Sequence, residues 1–401
     1  MSRLTGRCFC LFALLLFLSG FTGLPASGAQ PGCGAEIKRL SSSDYPVFSD
    51  DLDYKRLDTA LAGSIGYLKN LPQGKKIKVG PDWYLPSVLA AGFERFSDFI
   101  TTRPESRAVA GYVAAHGRVY TAFLRSKQAD VLFTGYFEPE LAGSRTRTSR
   151  FCLPVYSRPD DLVILDQSRN SRGLNKKKII GRYSGKLFAP YYDRQQITSE
   201  NAIYDHARVI AWVADPVALF FLHVQGSGRV RFADGASINV HYDISNGLPY
   251  KSIGAYLIRK GKIPKAKMSM QAIYEYLAAH PKEIDETLNY NPRYIFFRTA
   301  PAGVTGSIGV PLTPGRSVAL DSHAAPAGVL LFISAKKPVC DASFNVVSWT
   351  PFSRFTLNQD TGSAIKGLCR ADIFWGSGDY ARVAAGHMKE RGRLYYIVFD
   401  R

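Results

Sequence analysis

The sequence predicts a mainly β protein with flanking helices, on three observations. Thirty-five glycines and 22 prolines in 401 residues supply turns for many short strands, and 24 Phe with 22 Tyr supply the aromatic bulk that β-rich cores bury. From Val131 onward the apolar residues fall into short alternating or β-branched runs, whereas residues 30–130 repeat them at three- and four-residue spacing. At 401 residues, two domains are expected rather than one large core.

Taken in order, Tyr54–Leu68, Tyr84–Ile100 and Ala108–Leu124 read as amphipathic helices punctuated by Pro81 and Pro104. Strands are expected at Val131-Leu132-Phe133, Val155-Tyr156, Val209–Trp212, Phe220-Phe221-Leu222 and Val230-Arg231-Phe232. Met270–Ala279 reads as a helix capped by Ser269 and closed before Pro281. After Asn291-Pro292 the texture is β-like again and ends on Leu394–Phe399. The sequence shows no internal repeat and no low-complexity tract.

Residues 1–29 read as an export signal: Arg3 and Arg7, an apolar body from Leu11 to Leu24, then the small residues Ser27-Gly28-Ala29. The apolar part is too short for a membrane span. Gln30-Pro31-Gly32 before Cys33 does not form a lipid-attachment box, so a soluble exported protein is expected. The formal charge of +18, lowered by two when the signal leaves, points to an anionic polymer as partner. Its clusters, Lys75-Lys76, Lys176-Lys177-Lys178 and Lys260-Gly261-Lys262, lie in loop-like stretches. Export argues against nucleic acid, which leaves cell-wall or other anionic carbohydrate. Cys33, Cys152, Cys340 and Cys369 show no zinc-ligand spacing, so no metal is expected, and Cys340 with Cys369 is the first disulfide to expect because both fall in the C-terminal β region. His116, His206, His223, His241, His280, His323 and His387 are scattered and read as structural or surface residues.

The chemistry concentrates between Asp360 and Gly378, where two carboxylates stand 12 positions apart, each near glycines. Asp372 sits between Ala371 and the apolar run Ile373-Phe374-Trp375, so poor solvation should raise its pKa and keep it protonated as a general acid. Turn-type hydrogen bonding of both aspartates beside their glycines is the plainer alternative. Lys366, between them, reads as a solvated turn residue within reach of a substrate. Three further patterns stand upstream: Thr134-Gly135-Tyr136-Phe137-Glu138-Pro139, Val224-Gln225-Gly226-Ser227-Gly228, and Val310–Asp321, which adds a third aspartate.

Together and in this order, with Asn246–Gly254, Met268–Ile273 and Asn291–Phe297, these motifs resemble those of the MltA-type lytic murein transglycosylases from about residue 80 to the C-terminus. The resemblance implies a double-psi β-barrel domain formed by residues 30–139 and 256–401, with N-terminal helices. It also implies a smaller β domain inserted at 140–255 and a glycan groove between the two. It places the single catalytic acid/base on Asp372, an organising aspartate on Asp360, and Asp321 as the third member of the module. Sugar contacts fall on Thr134, Tyr136, Gln225, Gly226 and Ser227. The implied reaction cleaves the β-1,4 bond between N-acetylmuramic acid and N-acetylglucosamine and forms 1,6-anhydromuramyl products without a cofactor. The implied setting is the periplasm, with outer-membrane association in view. Peptidoglycan strands are the partner, cell-wall synthases are candidate protein partners, and a monomer is the expected state. Three departures stand out: Ser363 replaces a second glycine, Asp321 is followed by Ser-His-Ala-Ala-Pro-Ala-Gly, and the lipid box of many relatives is missing.

Other readings are weaker. Asp360-Thr361-Gly362-Ser363 matches an aspartic-protease signature, but such enzymes need two copies and Asp321-Ser322 is followed by His. A hydrolytic endoglycosidase needs a second carboxylate, for which Glu138, Asp193 and Asp234 are the candidates. A non-catalytic wall-binding module would keep the barrel without turnover.

Overall fold

The computed structural model describes residues 34–166, 178–300, 303–362 and 364–400. The expected signal, Cys33, Lys176-Lys177 and Ser363 lie outside the described residues. The chain opens with β1 (Glu36–Arg39), α1 (Leu57–Lys69), the pair β2 (Ile77–Val79) and β3 (Asp82–Tyr84), α2 (Pro86–Ile100) and α3 (Ser106–His116). Strands β4 (Gly117–Leu124), β5 (Lys127–Gln128) and β6 (Val131–Glu138) follow. A second group comprises β7 (Glu140–Ser144), β8 (Leu153–Tyr156), β9 (Val163–Asp166), β10 (Lys178–Ser184), β11 (Leu187–Pro190), α4 (Arg194–Thr198), β12 (Val209–Val213) and α5 (Pro216–Gln225). It continues through β13 (Ser227–Arg231), β14 (Ser237–Ser245), α6 (Ile253–Arg259), α7 (Met270–Ala279), α8 (Ile284–Asn289) and β15 (Ile295–Ala300). The C-terminal part contains β16 (Ser317–Ala319), β17 (Leu330–Cys340), β18 (Val346–Asp360), β19 (Arg370–Ser377), α9 (Asp379–His387) and β20 (Glu390–Phe399).

Six strands close into a barrel in the order β6-β19-β16-β18-β17-β20, with β20 returning to pair with β6. Two of its pairs, β6 with β19 and β16 with β18, are parallel, and the others are antiparallel. Strand β4 adds to the outer edge of β20, and β1 adds to β4. The mainly β class and the closed barrel agree with expectation. Helix α2 lies so close to β20 that a side chain at Gly92 would come within 2.1 Å of the Phe399 carbonyl. Phe48, Phe96, Phe332, Phe355 and Phe399 meet in this core at ring separations of 4.8 to 5.9 Å. Each such ring contributes about 1.5–3 kcal/mol by burial.

Two buried ion pairs fasten the N-terminal segment to the barrel. Arg316 donates to Asp50 at 2.5 and 2.9 Å with both side chains at 0% exposure, and Arg354 donates twice to Asp51 at 2.7 Å. Burial pushes the Asp51 carboxyl up, but Arg354 and Lys337 outweigh it and hold the group below its ordinary value.

The second group forms a six-stranded sheet, β15-β14-β13-β7-β12-β8, and a three-stranded one, β11-β10-β9. Helices α5 to α8 share one apolar cluster, in which Phe220, Phe221, Leu257 and Leu277 are buried. Strand β15 pairs with β14, so this sheet draws on sequence well past residue 255.

Several expected elements differ. The expected helix Ala108–Leu124 ends at His116, and its second half is strand β4, where Val119, Tyr120, Thr121 and Phe123 favour extended backbone. Phe220-Phe221-Leu222 is not a strand but the middle of helix α5. Asp215 starts that helix by accepting from the Val217 and Ala218 amides, Pro216 occupies its first turn, and Gly226 ends it in the left-handed region at φ 79°. Its all-round apolar surface, buried among other helices, hid the helical period. Helix α7 matches expectation, with Ser269 accepting from the Ala272 amide. The expected disulfide is corrected too: Cys340 and Cys152 carry free thiols, and Cys369 is disulfide-bonded elsewhere. Cys340 pairs with Val346 at the far tip of the β17–β18 hairpin, roughly 45 Å of strand from Asp360. Cys369 lies immediately before Arg370, at the Asp360 end.

Candidate active site

Strands β16, β18 and β19 bring the two C-terminal aspartates together. Ala319 of β16 pairs with Asp360 on one side and Asp372 on the other, so their backbones stand roughly 10 Å apart with one strand between them. On the opposite side of β19, Asp372 pairs with Thr134, and Phe374 pairs with Tyr136. Side chains alternate along a strand, so Arg370, Asp372 and Phe374 share one face of β19.

Asp360 is fully engaged. Its Oδ2 accepts from the Tyr136 hydroxyl at 2.9 Å, and its Oδ1 accepts from the Ser307 amide at 2.9 Å. Burial raises its pKa, and the Thr361, Tyr136 and Ser307 hydrogen bonds oppose the rise. The Tyr136 ring packs on Phe374 at 5.2 Å, and burial together with Asp360 keeps its hydroxyl protonated.

Asp372 is the opposite case. Its side chain retains 20% exposure, its Oδ1 is buried without a hydrogen-bond partner, and the nearest cation, Arg370, stops 3.8 Å away. Burial pushes its pKa up to about 6, with Arg370 pulling down and Asp360 pushing further up. Arg370 also reaches the Thr134 hydroxyl at 3.4 Å.

The third aspartate differs from both. Asp321 accepts from the Gly367 amide at 2.7 Å and the His323 amide at 3.1 Å. Burial acts to raise its pKa, but these bonds, with Lys366 nearby, hold it below the ordinary value. It is a turn anchor. Lys366 is exposed and faces Asp321.

The upstream motif reaches the barrel through Gln225, whose Oε1 accepts from the Phe137 amide at 3.2 Å. Gly226 closes α5, its carbonyl accepts from the Tyr242 amide, and Ser227 starts β13 as a buried residue. Tyr250 comes to the same junction: burial raises its hydroxyl pKa, and Ser252, Arg194 and Arg370 draw it down. The carboxylates considered for a hydrolytic reading are occupied elsewhere. Glu138 is buried 3.6 Å from Arg229 and lies four residues beyond Thr134, roughly 13 Å along β6. Asp193 caps α4, and Asp234 pairs with Arg145 at 2.8 Å. Trp375 packs with Phe352 and Tyr380, on the alternate face of β19 from Asp372.

Sequence reasoning missed Arg370, Ser307 and the Arg194–His223 pair. Arg370 had a signal, because a residue two before Asp372 on a strand shares its face. Ser307 contributes its amide, which no side-chain pattern reveals. Arg194 donates to the His223 ring at 3.0 Å, and burial with that cation drives His223 well below its usual pKa, hence neutral. Among the described residues, Asp160, Asp161 and His206 hold potential metal-ligand atoms within 4.8 Å of one another. His206 already contacts Asp160, and Tyr191 donates to Asp161.

The description "MltA specific insert domain" matches residues 132–298, and "3D domain" matches residues 316–398. Membrane-bound lytic murein transglycosylase A of Vibrio cholerae is 34% identical over 280 residues, covering 68% of this chain and 67% of that protein. The chain belongs to the MltA family. The Escherichia coli K12 relative of the same name is 32% identical over 271 residues, 67% of this chain and 66% of its own length, so the chain spans about two thirds of these curated relatives. Among MltA-type structures, the membrane-bound lytic murein transglycosylase from Agrobacterium tumefaciens superposes with a TM-score of 0.71 at 29% identity, over 90% of this chain and 97% of that one. MltA from Neisseria gonorrhoeae gives 0.70 at 29% identity, over 92% and 94%.

Proposed function

We propose that this chain is a lytic murein transglycosylase in which Asp372 serves as acid and then as base. The observation that carries the reading is the under-partnered Asp372 carboxyl, with Oδ1 unbonded and a pKa raised to about 6. A group at that value is protonated in roughly one molecule in ten at neutral pH, and a bound glycan that excludes water raises the share. The protonated carboxyl donates to the glycosidic oxygen between N-acetylmuramic acid and N-acetylglucosamine. As that bond breaks, an oxocarbenium-like sugar forms. The muramic acid 6-hydroxyl attacks the cationic carbon, the Asp372 carboxylate takes the hydroxyl proton, and a 1,6-anhydro sugar leaves with the acid restored. An internal nucleophile held by the ring replaces the second carboxylate of a hydrolase, which supports a site with one free acid.

Asp360, held by Tyr136 and Ser307, has no free oxygen for activating water and acts as the organiser. Thr134, Tyr136, Gln225, Gly226 and Ser227 line the path of the strand, and exposed Lys366 is the outermost candidate contact. The reading takes the protein as a monomer. The reading places the protein in the cell envelope, on the periplasmic side, where peptidoglycan strands are the substrate and wall synthases are the protein class it would meet. Among the described residues no helix is long and apolar enough to cross a membrane. The insert is read as leaving the barrel after Glu138 and returning after β15.

Digestion of purified sacculi followed by mass spectrometry of the muropeptides tests the reaction. Anhydromuramyl ends are expected from the wild-type chain, and none from Asp372→Asn or Asp372→Ala. Reducing ends would indicate hydrolysis instead, and turnover by either variant would remove Asp372 from the acid role.

A further inference from the structure

Arg370 and Asp372 stand on one face of β19, each short of partners. Arg370 Nη2 lies 3.8 Å from Asp372 Oδ1 and 3.4 Å from Thr134 Oγ1, while Arg370 Nε and Asp372 Oδ1 are buried without hydrogen bonds. At 3.8 Å there is attraction but no hydrogen bond. The Arg370 side chain keeps 33% exposure, so water tempers the attraction without abolishing it.

We infer that Arg370 is a positioning residue that tunes Asp372 as an acid by being held at a fixed stand-off from it, resting on the assignment of Asp372 as the acid/base. The reaction asks Asp372 to lose a proton and regain it. A cation beside it favours the loss, because negative charge then appears opposite the guanidinium, and opposes the return by the same amount. A tight bidentate pair would make the carboxylate permanent and occupy both oxygens. No cation at all would leave a buried acid too weak to release its proton. Thr134, on the neighbouring strand, accepts from Arg370 and restrains the guanidinium from closing the gap. Among the neighbours, Tyr250 faces Arg370, and its hydroxyl pKa is raised by burial and drawn down by Ser252, Arg194 and Arg370. Asp360 of β18 acts on Asp372 in the opposite direction, the Tyr136 hydroxyl of β6 donates to Asp360, and Ala319 of β16 brings no charge. On α9, packed against β19, Asp379 and Arg382 pair with each other.

The test is the pH dependence of kcat/KM for anhydromuropeptide release by the full chain and by Arg370→Met, Arg370→Gln and Arg370→Lys, each checked for a folded thermal melt. The alkaline limb reports loss of the Asp372 proton. Arg370→Met and Arg370→Gln should move that limb upward by about one pH unit, and Arg370→Lys should leave it near the wild-type position. A limb that stays in place in folded Arg370→Met makes Arg370 a packing residue and overturns the inference. Where Arg370→Met does not fold, Arg370→Gln, which keeps an N–H for Thr134, decides: a wild-type limb there overturns the inference, and a shifted one supports it. Asp372→Asn runs alongside, since activity in that variant would defeat the acid assignment itself.

Discussion

At the Asp50–Arg316 anchor, carboxylate and guanidinium are both sealed from water and meet at 2.5 and 2.9 Å, whereas at the site Arg370 stops 3.8 Å short of an Asp372 that is 20% exposed. Both are arginine–aspartate pairs, the first joining the N-terminal segment to the turn before β16 and the second lying along β19, and neither carboxylate is freely solvated. The difference lies in how completely the negative charge is answered. Full pairing occupies both carboxylate oxygens and turns the aspartate into a fastener. Partial pairing leaves protonated and ionised forms close enough in free energy to interchange during a reaction.

The largest effect is expected at the loosely paired site. Asp372→Asn should lower turnover by at least about a thousandfold, so that no anhydromuramyl ends are detected, while a glycan pull-down still retains the protein, as measured by muropeptide release against sacculus binding. Next comes the tight pair. Asp50→Ala strands the buried Arg316 guanidinium and should cost about 3–5 kcal/mol in denaturant unfolding. Equal stability of that variant would remove the contrast.

The third prediction uses the sign of the Asp372 shift. Its native pKa of about 6 exceeds the ordinary 3.8, so the native state holds the proton more tightly, and stability declines as pH rises through that window. Asp372→Asn should therefore be more stable than wild type by about 3 kcal/mol above pH 6, with the gain fading below about pH 4, as read from unfolding curves at several pH values. A gain that is independent of pH would contradict the shift. The smallest effect is at the organiser. Tyr136→Phe removes the hydroxyl from Asp360 and should lower kcat/KM by about tenfold, with about 1–2 kcal/mol lost in stability.

The site was legible in the sequence to the extent that single side chains announce themselves. Asp372 among Ile373, Phe374 and Trp375 reads as poorly solvated because flanking residues dictate local burial. Gln225-Gly226-Ser227 was found by pattern but given the wrong context. The helix it terminates is apolar on every side, and only the Asp215-Pro216 start and the Gly226 stop betray it. The β6–β19 pairing was invisible, since it joins Thr134 to Asp372 across more than half the chain. Strand β4 was lost for a related reason: its neighbours β1 and β20, which make extended backbone worthwhile there, lie far away in sequence. The disulfide failed because both cysteines do fall in the C-terminal β region, while the long β17–β18 ribbon carries Cys340 away from Cys369.

The barrel's closure by its last strand bears on when the protein becomes active. Strand β6 emerges early in synthesis, but the strand that seals it, β20, occupies residues 390–399. A chain still missing its tail has an open, unfinished wall beside Val131, Leu132 and Phe133, at the start of the strand that carries Thr134 and Tyr136. If the chain cuts the cell's own casing as proposed, a fragment is expected to be inert, and removal of the final ten or so residues should silence it as surely as loss of the acid.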